Sequence, residues 1–140
     1  MSHLVDAGAW ATLLEQSGYA DVFIVLPRHP DPDSDEALKH AYRKLDEARK
    51  LLNGGRFEAC VAMARNAASL LVDHLPPVTH QGHERSVEER FAGVAKAVRD
   101  MMHGASHTED PAFADHHWTR SEASAAVGIL AALLVYATVQ

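Results

Sequence analysis

The last part of the chain contains 17 consecutive residues, Ala123–Val139, without a charged side chain. At about 100° per residue, this run forms an apolar stripe along one side of a helix. That stripe consists of Ala123, Ala126, Leu130, Leu133, Leu134 and Ala137. The opposite side is also apolar and carries Ala125, Gly128, Ala132, Val135 and Val139. A helix that is apolar all round is stable only where it is buried on more than one side, so other helices have to pack against it.

The opposite side of this helix needs a cover of its own. The run reaches the lower limit for crossing a bilayer, but it is rich in alanine, and we expect a bundle helix with no membrane contact. Gly128 and Ala132 are four residues apart and form a smooth ridge that a second helix can approach closely. We therefore expect a homodimer through Gly128, Ala132 and Val135, because two-fold dimers are the commonest soluble oligomers. The apolar segment Val22–Leu26 is the alternative cover from within the same chain.

Three more segments have the helical period of about 3.6 residues. Together with the last run they predict helices at 34–53, 56–75, 87–103 and 120–138. Three of the starts have capping-box spacing, namely Asp33 with Glu36, Ser86 with Glu89 and Thr119 with Glu122. Asn53-Gly54-Gly55 predicts a left-handed cap at the end of the first helix. This short link makes the first two helices an antiparallel hairpin.

The apolar positions assign an inward face to each helix. The first helix carries Leu38, Ala41, Tyr42, Leu45, Ala48 and Leu52 at helical spacing. The second carries Phe57, Cys60, Val61, Ala64, Ala67, Ala68, Leu71 and Leu75. The third carries Phe91, Val94, Val98, Met101 and Met102. We expect an all-α, up-down four-helix bundle over residues 33–140, with residues 1–32 as a short irregular or β-like extension that packs on the bundle.

Charge and cysteine content limit the surroundings and partners of the chain. Its one cysteine, Cys60, cannot form an internal disulfide, and its place in an apolar stripe predicts a small core residue. A reducing cytoplasm is therefore the expected location. The first ten residues lack a basic start followed by an apolar core, so we expect no signal peptide. A net charge of -6 argues against non-specific nucleic-acid binding, which depends on neutralising phosphates, but it is compatible with a local basic groove.

Arg99 and His103 are the first candidates for chemistry. They are four residues apart, so a continuous helix places both on one side, away from the apolar face. A neutral histidine accepts a 2′-hydroxyl proton and an arginine stabilises charge on phosphate oxygens, which together suit phosphodiester cleavage. The plainer interpretation is a solvated helix end, where basic residues interact favourably with the helix dipole.

The connection before the fourth helix is rich in histidine, and long connections of this kind are often functional. The potential metal ligands in or beside it are His103, His107, Asp110, Asp115, His116 and His117. Their spacing fits no zinc pattern, and the adjacent pair His116-His117 points in different directions on a regular element. We therefore expect neither a metal nor another cofactor, and we interpret these histidines as surface residues.

The predicted hairpin has the sequence LDEARKLLNGGRFEAC over residues 45–60 and is followed by two more helices. This arrangement resembles the HEPN-type four-helix domains of prokaryotic toxin–antitoxin, abortive-infection and other defence proteins, over residues 34–139. Many HEPN-type domains are metal-independent ribonucleases that act as dimers with a composite site across the dimer. Others have lost catalysis and bind ligands or partners.

The catalytic signature of that family is an arginine, a polar residue and, after four to six intervening residues, a histidine. Here Arg99-Asp100 supplies the first two parts, while His103 follows Arg99 after three intervening residues and His107 after seven. The resemblance thus implies Arg99 with His103 or His107 as the catalytic pair, at a spacing that departs from the family's. Two functions remain open: a HEPN-like dimerising module that binds a protein partner or ligand in a defence or regulatory system, or a metal-independent ribonuclease acting on RNA.

Overall fold

Four α-helices make up most of the chain that the structure describes. The computed structural model describes residues 35–103 and 116–139. The helices are α1 (Glu36–Asn53), α2 (Phe57–His74), α3 (Val87–Met101) and α4 (Arg120–Val139), and a 3-10 turn, Gly82–Glu84, precedes α3. These residues form the predicted all-α four-helix bundle and contain no strand. The predicted β-like extension, residues 1–32, lies outside the described residues.

A carboxylate next to the first residue of α1 fixes where this helix begins. The side chain of Asp35 accepts the backbone N–H of Ala37 at 2.7 Å. The predicted start at Asp33 was therefore wrong, because Asp35 supplies the capping acceptor directly before Glu36. The other carboxylate oxygen of Asp35 lies 3.4 Å from Nδ1 of His74, at the end of α2. This contact connects the two open ends of the hairpin.

A glycine cap turns the chain from α1 into α2. Gly55 has a φ of 75°, in the left-handed region that favours glycine. Its N–H donates to the carbonyl of Leu52 at 3.0 Å, and the N–H of Arg56 donates to the carbonyl of Leu51 at 2.9 Å. This pair of hydrogen bonds satisfies two carbonyls at the helix end. It confirms the predicted left-handed cap and the antiparallel hairpin.

The hairpin of α1 and α2 is the most extensive helix pair among the described residues. The buried residues of α1 are Leu38, Ala41, Leu45, Ala48 and Leu52. Those of α2 are Cys60, Val61, Ala64, Ala67, Ala68 and Leu71. Both sets confirm the inward faces predicted for these two helices. Because many of these side chains are alanines, the two backbones can approach each other closely.

α4 completes the core by packing against both helices of the hairpin. Its buried residues are Ala123, Ser124, Ala126, Val127, Leu130, Ala131, Leu133, Leu134 and Ala137, which include the whole predicted main stripe. A full capping box starts the helix: Thr119 Oγ1 accepts the N–H of Glu122 at 3.3 Å, and Glu122 Oε1 accepts the N–H of Thr119 at 2.9 Å. Among the described helices, α4 has the length and hydropathy of a membrane span, but half of the relevant window is buried inside the bundle.

α3 is rotated about its axis relative to the sequence-based prediction. Its apolar buried residues are Ala92, Ala95 and Val98, followed by Met102 directly after the helix. Val94 and Met101 were predicted to face the core but are 47% and 42% exposed, so this part of the prediction was wrong. The small alanines allow α3 to lie close to its neighbours. The prediction was based on the large apolar residues and did not count the alanines as inward positions.

An aromatic contact shows how α3 runs along α4. The ring of Phe91, early in α3, stacks on the ring of Tyr136, late in α4, with centroids 3.8 Å apart and an angle of 11° between planes. At the opposite end, Met101 lies beside Ala125 and Ile129 of α4. The two helices are therefore antiparallel, as the predicted up-down order requires.

A buried glutamate holds the connection between α2 and α3 in place. Glu89, in the first turn of α3, is 9% exposed. Its carboxylate accepts the backbone N–H of His80 at 3.1 Å and lies 2.7 Å from His80 Nδ1. Ser86 caps α3 by accepting the N–H of Glu89 at 3.2 Å. The predicted capping box is thus only half formed, because the carboxylate that would bond back to Ser86 is used by His80.

We predict that Leu71→Ala destabilises the bundle by about 2–5 kcal/mol, because it leaves a cavity between closely packed helices. Leu71 is 2% exposed and belongs to the central cluster. Urea unfolding followed by far-UV circular dichroism measures the change. Leu70→Ala on the same helix is the matched control, because Leu70 is only partly buried. An equal loss for both variants would contradict the assignment of Leu71 to the core.

We also predict a pH-dependent effect of Glu89→Gln. The hydrogen bond from the His80 side chain is the main cause that lowers the pKa of the Glu89 carboxyl from its ordinary value of 4.5. A lowered pKa in the folded state means that the ionised group stabilises the fold above pH 4.5, and that this stabilisation is lost as the pH falls through the folded-state value. Glu89→Gln should therefore lower the urea midpoint at neutral pH, and its difference from the wild type should shrink in acid. Glu88→Gln, an exposed neighbour in the same turn, controls for the helix dipole; an equal pH dependence in that variant would contradict the assignment.

Candidate functional site

Arg99 lies on the flank of α3 that faces the end of α2. Together with Lys96, Asp73 and residues 75–78, it lines a groove of about 480 Å³. Its Nε is 3.5 Å from Oδ1 of Asp100, its neighbour on the same helix. A guanidinium and an ammonium beside apolar walls suit an anionic group. The groove thus holds two basic side chains, Lys96 and Arg99, together with the carboxylate of Asp73.

His103 lies beyond the end of α3 and is paired with α2. The helix ends at Met101, so His103 is not on the continuous helix that the prediction assumed. Its Nδ1 is 3.2 Å from Nη2 of Arg65. A guanidinium has only donors, so Nδ1 is the acceptor in this contact. The structure thus joins His103 to Arg65, while Arg99 is paired with Asp100 and faces the groove.

The contact of Arg65 with His103 is the feature of this region that sequence reasoning missed; the sequence alone favours ordinary helix-flank packing for Arg65. Arg65 is 38 positions away from His103, and only the packing of α2 against α3 brings the two side chains together. Its Nε is buried and has no hydrogen-bond partner among the described residues. An unpaired buried N–H is costly, and Arg49 Nε and Ser124 Oγ are in the same position, so this observation by itself does not mark a site. No spacing pattern in the sequence connects Arg65 with His103.

The other candidate histidines lie apart from this pair or outside the described residues. His107 belongs to residues 104–115, which the structure does not describe. His116 Nε2 is 3.0 Å from Oε2 of Glu122, and His117 Nδ1 is 3.1 Å from Oε1 of Glu58. The neighbouring imidazoles therefore diverge. Within residues 35–103 and 116–139, no three His, Cys, Asp or Glu side chains converge as metal ligands do.

Helices α3 and α4 together present an exposed apolar surface, which we call the outer face. It consists of Val94 and Met101 on α3 and Ala125, Gly128, Ile129, Ala132, Val135 and Val139 on α4. The three large aliphatic side chains on α4, Ile129, Val135 and Val139, are 39%, 40% and 77% exposed. A Cβ atom built on Gly128 would meet no atom of the described residues within 4 Å, so these residues leave the middle of the outer face open.

One end of the outer face contains an open apolar pocket of about 370 Å³, which we call the end pocket. It is lined by Met101, His116, Trp118, Glu122, Ala125 and Ile129. His116 stands edge-on to Trp118, with ring centroids 4.9 Å apart, and its other contact is the carboxylate of Glu122. The backbone N–H of Thr119 is the main cause that lowers the pKa of the Glu122 carboxyl. The polar groups at the edge are thus paired with each other, and the centre of the pocket is apolar.

Cys60 is fully buried in α2 and takes no part in either surface. Burial raises the pKa of its thiol to about 11. A thiol of this kind is unreactive, because the thiolate is the nucleophile. Cys60 is the small core residue that its position in the apolar stripe predicted.

Comparison with known proteins adds no relative to this description. No family model matches the sequence, no curated protein is significantly similar to it, and no solved structure matches its fold significantly. The likeness to HEPN-type domains therefore rests on the order of the helices and on the hairpin of residues 45–60. The assignment to that family stays a proposal.

Proposed function

We propose that this chain is a HEPN-like helical module that forms a homodimer through the outer face and binds a partner or ligand, in a prokaryotic defence or regulatory system. The outer face carries the proposal. Soluble monomers rarely expose contiguous apolar patches larger than a few hundred Å². On α4 the exposed row extends from Ala125 to Val139 without a charged residue. Such a row is typical of a surface that is covered in the working protein.

The groove beside Arg99 supports the second half of the proposal, the binding of a ligand. Arg99 lines the groove, whereas Met101, two residues later, belongs to the outer face. Two residues correspond to about 200° around a helix, so the groove and the outer face lie on different flanks of α3. A dimer formed through the outer face leaves the groove open. Lys96 and Arg99 suit an anionic group on the ligand, and Asp73 of the same groove suits a hydrogen-bond donor or a cationic group.

The ribonuclease is the competing function, and the side-chain contacts favour it less. Its composite site needs Arg99 and a histidine that converge on one phosphodiester. Arg99 is on the flank away from the outer face, and His103 is paired with Arg65. A dimer through the outer face would therefore not turn Arg99 towards the second copy.

We predict that the wild type sediments as a dimer at micromolar concentration and that Ala132→Glu is a monomer. The substitution would bury a charge without a partner at the centre of the interface. Analytical ultracentrifugation measures the mass, and circular dichroism checks that the variant stays helical. Asn66→Glu adds the same charge at an exposed site on α2 and should remain dimeric. A monomeric wild type would contradict the proposal and favour a cover from within the chain, such as Val22–Leu26.

We further predict that the purified protein does not cleave single-stranded RNA in the presence of EDTA. Gel analysis of end-labelled RNA measures the reaction. The ribonuclease would be favoured instead by cleavage that resists EDTA and disappears in Arg99→Ala and in either His103→Ala or His107→Ala. His83→Ala, a substitution of an exposed histidine in the 3-10 turn, controls for a general effect of losing an imidazole.

A further inference from the structure

We infer that the α4 helices of the two copies pack antiparallel about a two-fold axis that passes by Ala132. The end of each α4 then fills the end pocket of the other copy. This inference rests on the proposed dimer and specifies its geometry. It names the occupant of the end pocket as the aliphatic side chains Val135 and Val139 of a second copy.

The first argument is the complementary shape of the two ends of the outer face. At the start of α4, Ala125 and Ile129 line a pocket with an apolar centre. At the end of α4, Val135 and Val139 project from the surface and are 40% and 77% exposed. A cavity at one end of a surface and apolar projections at the other end fit each other when two copies are antiparallel.

The second argument is the register along α4. The small residues Gly128 and Ala132 form the middle of the exposed row, and in residues 35–103 and 116–139 no atom lies within 4 Å of a Cβ atom placed on Gly128. Two helices therefore come closest there, at an axis separation of about 8 Å. Ala132 is the central residue of the exposed row from Ala125 to Val139. With the axis there, residues seven positions away on either side face each other, since antiparallel helices pair at equal distances from their crossing point. Ala125 then faces Val139 of the second copy. Ile129 and Val135 are each three positions from the axis, so Ile129 faces Val135 of the second copy.

The third argument is the area that a stable dimer needs. A 20-residue helix is about 30 Å long and about 10 Å across, so its outward strip presents about 300 Å². A standard stable interface buries about 800 Å² on each partner. The strip of α4 alone is too small, and the neighbouring strip of α3 with Val94 and Met101 is needed as well.

The use of both strips selects the antiparallel arrangement. A two-fold axis perpendicular to the helices keeps each α3 on the same side of the α4 pair, so the α3 strips of the two copies cover each other. A two-fold axis along the helices gives parallel α4 helices and puts the two α3 strips on opposite sides of the pair. In that case Val94 and Met101 stay without the matching strip, and the two end pockets lie at the same end of the dimer, away from Val135 and Val139 of the other copy. The antiparallel arrangement covers both.

Disulfide cross-linking of single-cysteine additions tests the register on the full chain. Ala132→Cys should form a covalent dimer alone under mild oxidation, because the two copies of residue 132 meet at the axis within the reach of a disulfide. Ala125→Cys and Val139→Cys should each stay monomeric on a non-reducing gel. In the antiparallel dimer, equivalent residues seven positions from the axis are about 21 Å apart. A mixture of these two variants, after subunit exchange, should form the covalent heterodimer.

The native Cys60 does not interfere, because it is fully buried and its thiol has a raised pKa of about 11. Wild-type protein and Asn66→Cys, which adds an exposed cysteine away from the outer face, are the controls and should form no covalent dimer. Sedimentation of the reduced variants checks that each one remains dimeric. Covalent dimers of Val139→Cys alone and of Ala125→Cys alone would overturn the register in favour of parallel helices, while the proposed dimer would stand. A wild type that sediments as a monomer would instead contradict the proposed function itself.

Discussion

Close packing of alanine between helices is the contact on which this bundle depends. Ala48 of α1, Ala64 of α2, Ala95 of α3 and Ala126 of α4 are all 0% exposed. Small side chains at these positions allow the helix axes to approach closely, and dispersion attraction increases steeply as the distance falls. Leucines such as Leu45, Leu52 and Leu71 fill the space beside them and are among the largest fully buried side chains. The helix ends are satisfied locally by a glycine cap, a serine, a threonine and Asp35.

The same close packing explains why large apolar side chains remain outside. Since Ala92 and Ala95 occupy the inward side of α3, Val94 and Met101 are turned outward. The inner side of α4 is filled by its contacts with α1 and α2, so Val135 and Val139 are exposed as well. The outer face is thus a consequence of the way the core is packed. This surface is the physical basis for the proposed dimer.

The polar residues of interest occupy the other flank of α3. Arg99 and Lys96 face a groove at the end of α2, and His103 has Arg65 as its contact. The groove and the outer face both include residues of α3 and lie on different sides of it. This helix therefore separates the proposed dimer interface from the proposed ligand groove. Glu89 fixes the start of that helix through His80, so the connection that forms the far wall of the groove is held by the same helix.

Local rules were sufficient for much of the fold. The hairpin, the glycine cap, the complete capping box of α4 and the inward faces of α1, α2 and α4 depend on neighbouring residues and on helical period, so the sequence alone predicted them. The start of α1, the rotation of α3 and the partner of Glu89 were missed, because each depends on contacts between distant segments. Arg65 with His103 belongs to this second group, at a separation of 38 residues. The sequence by itself determined that α4 is apolar on two sides; only the tertiary structure decided which side is buried, because one helix surface can pack against the hairpin while the other is left for a different partner.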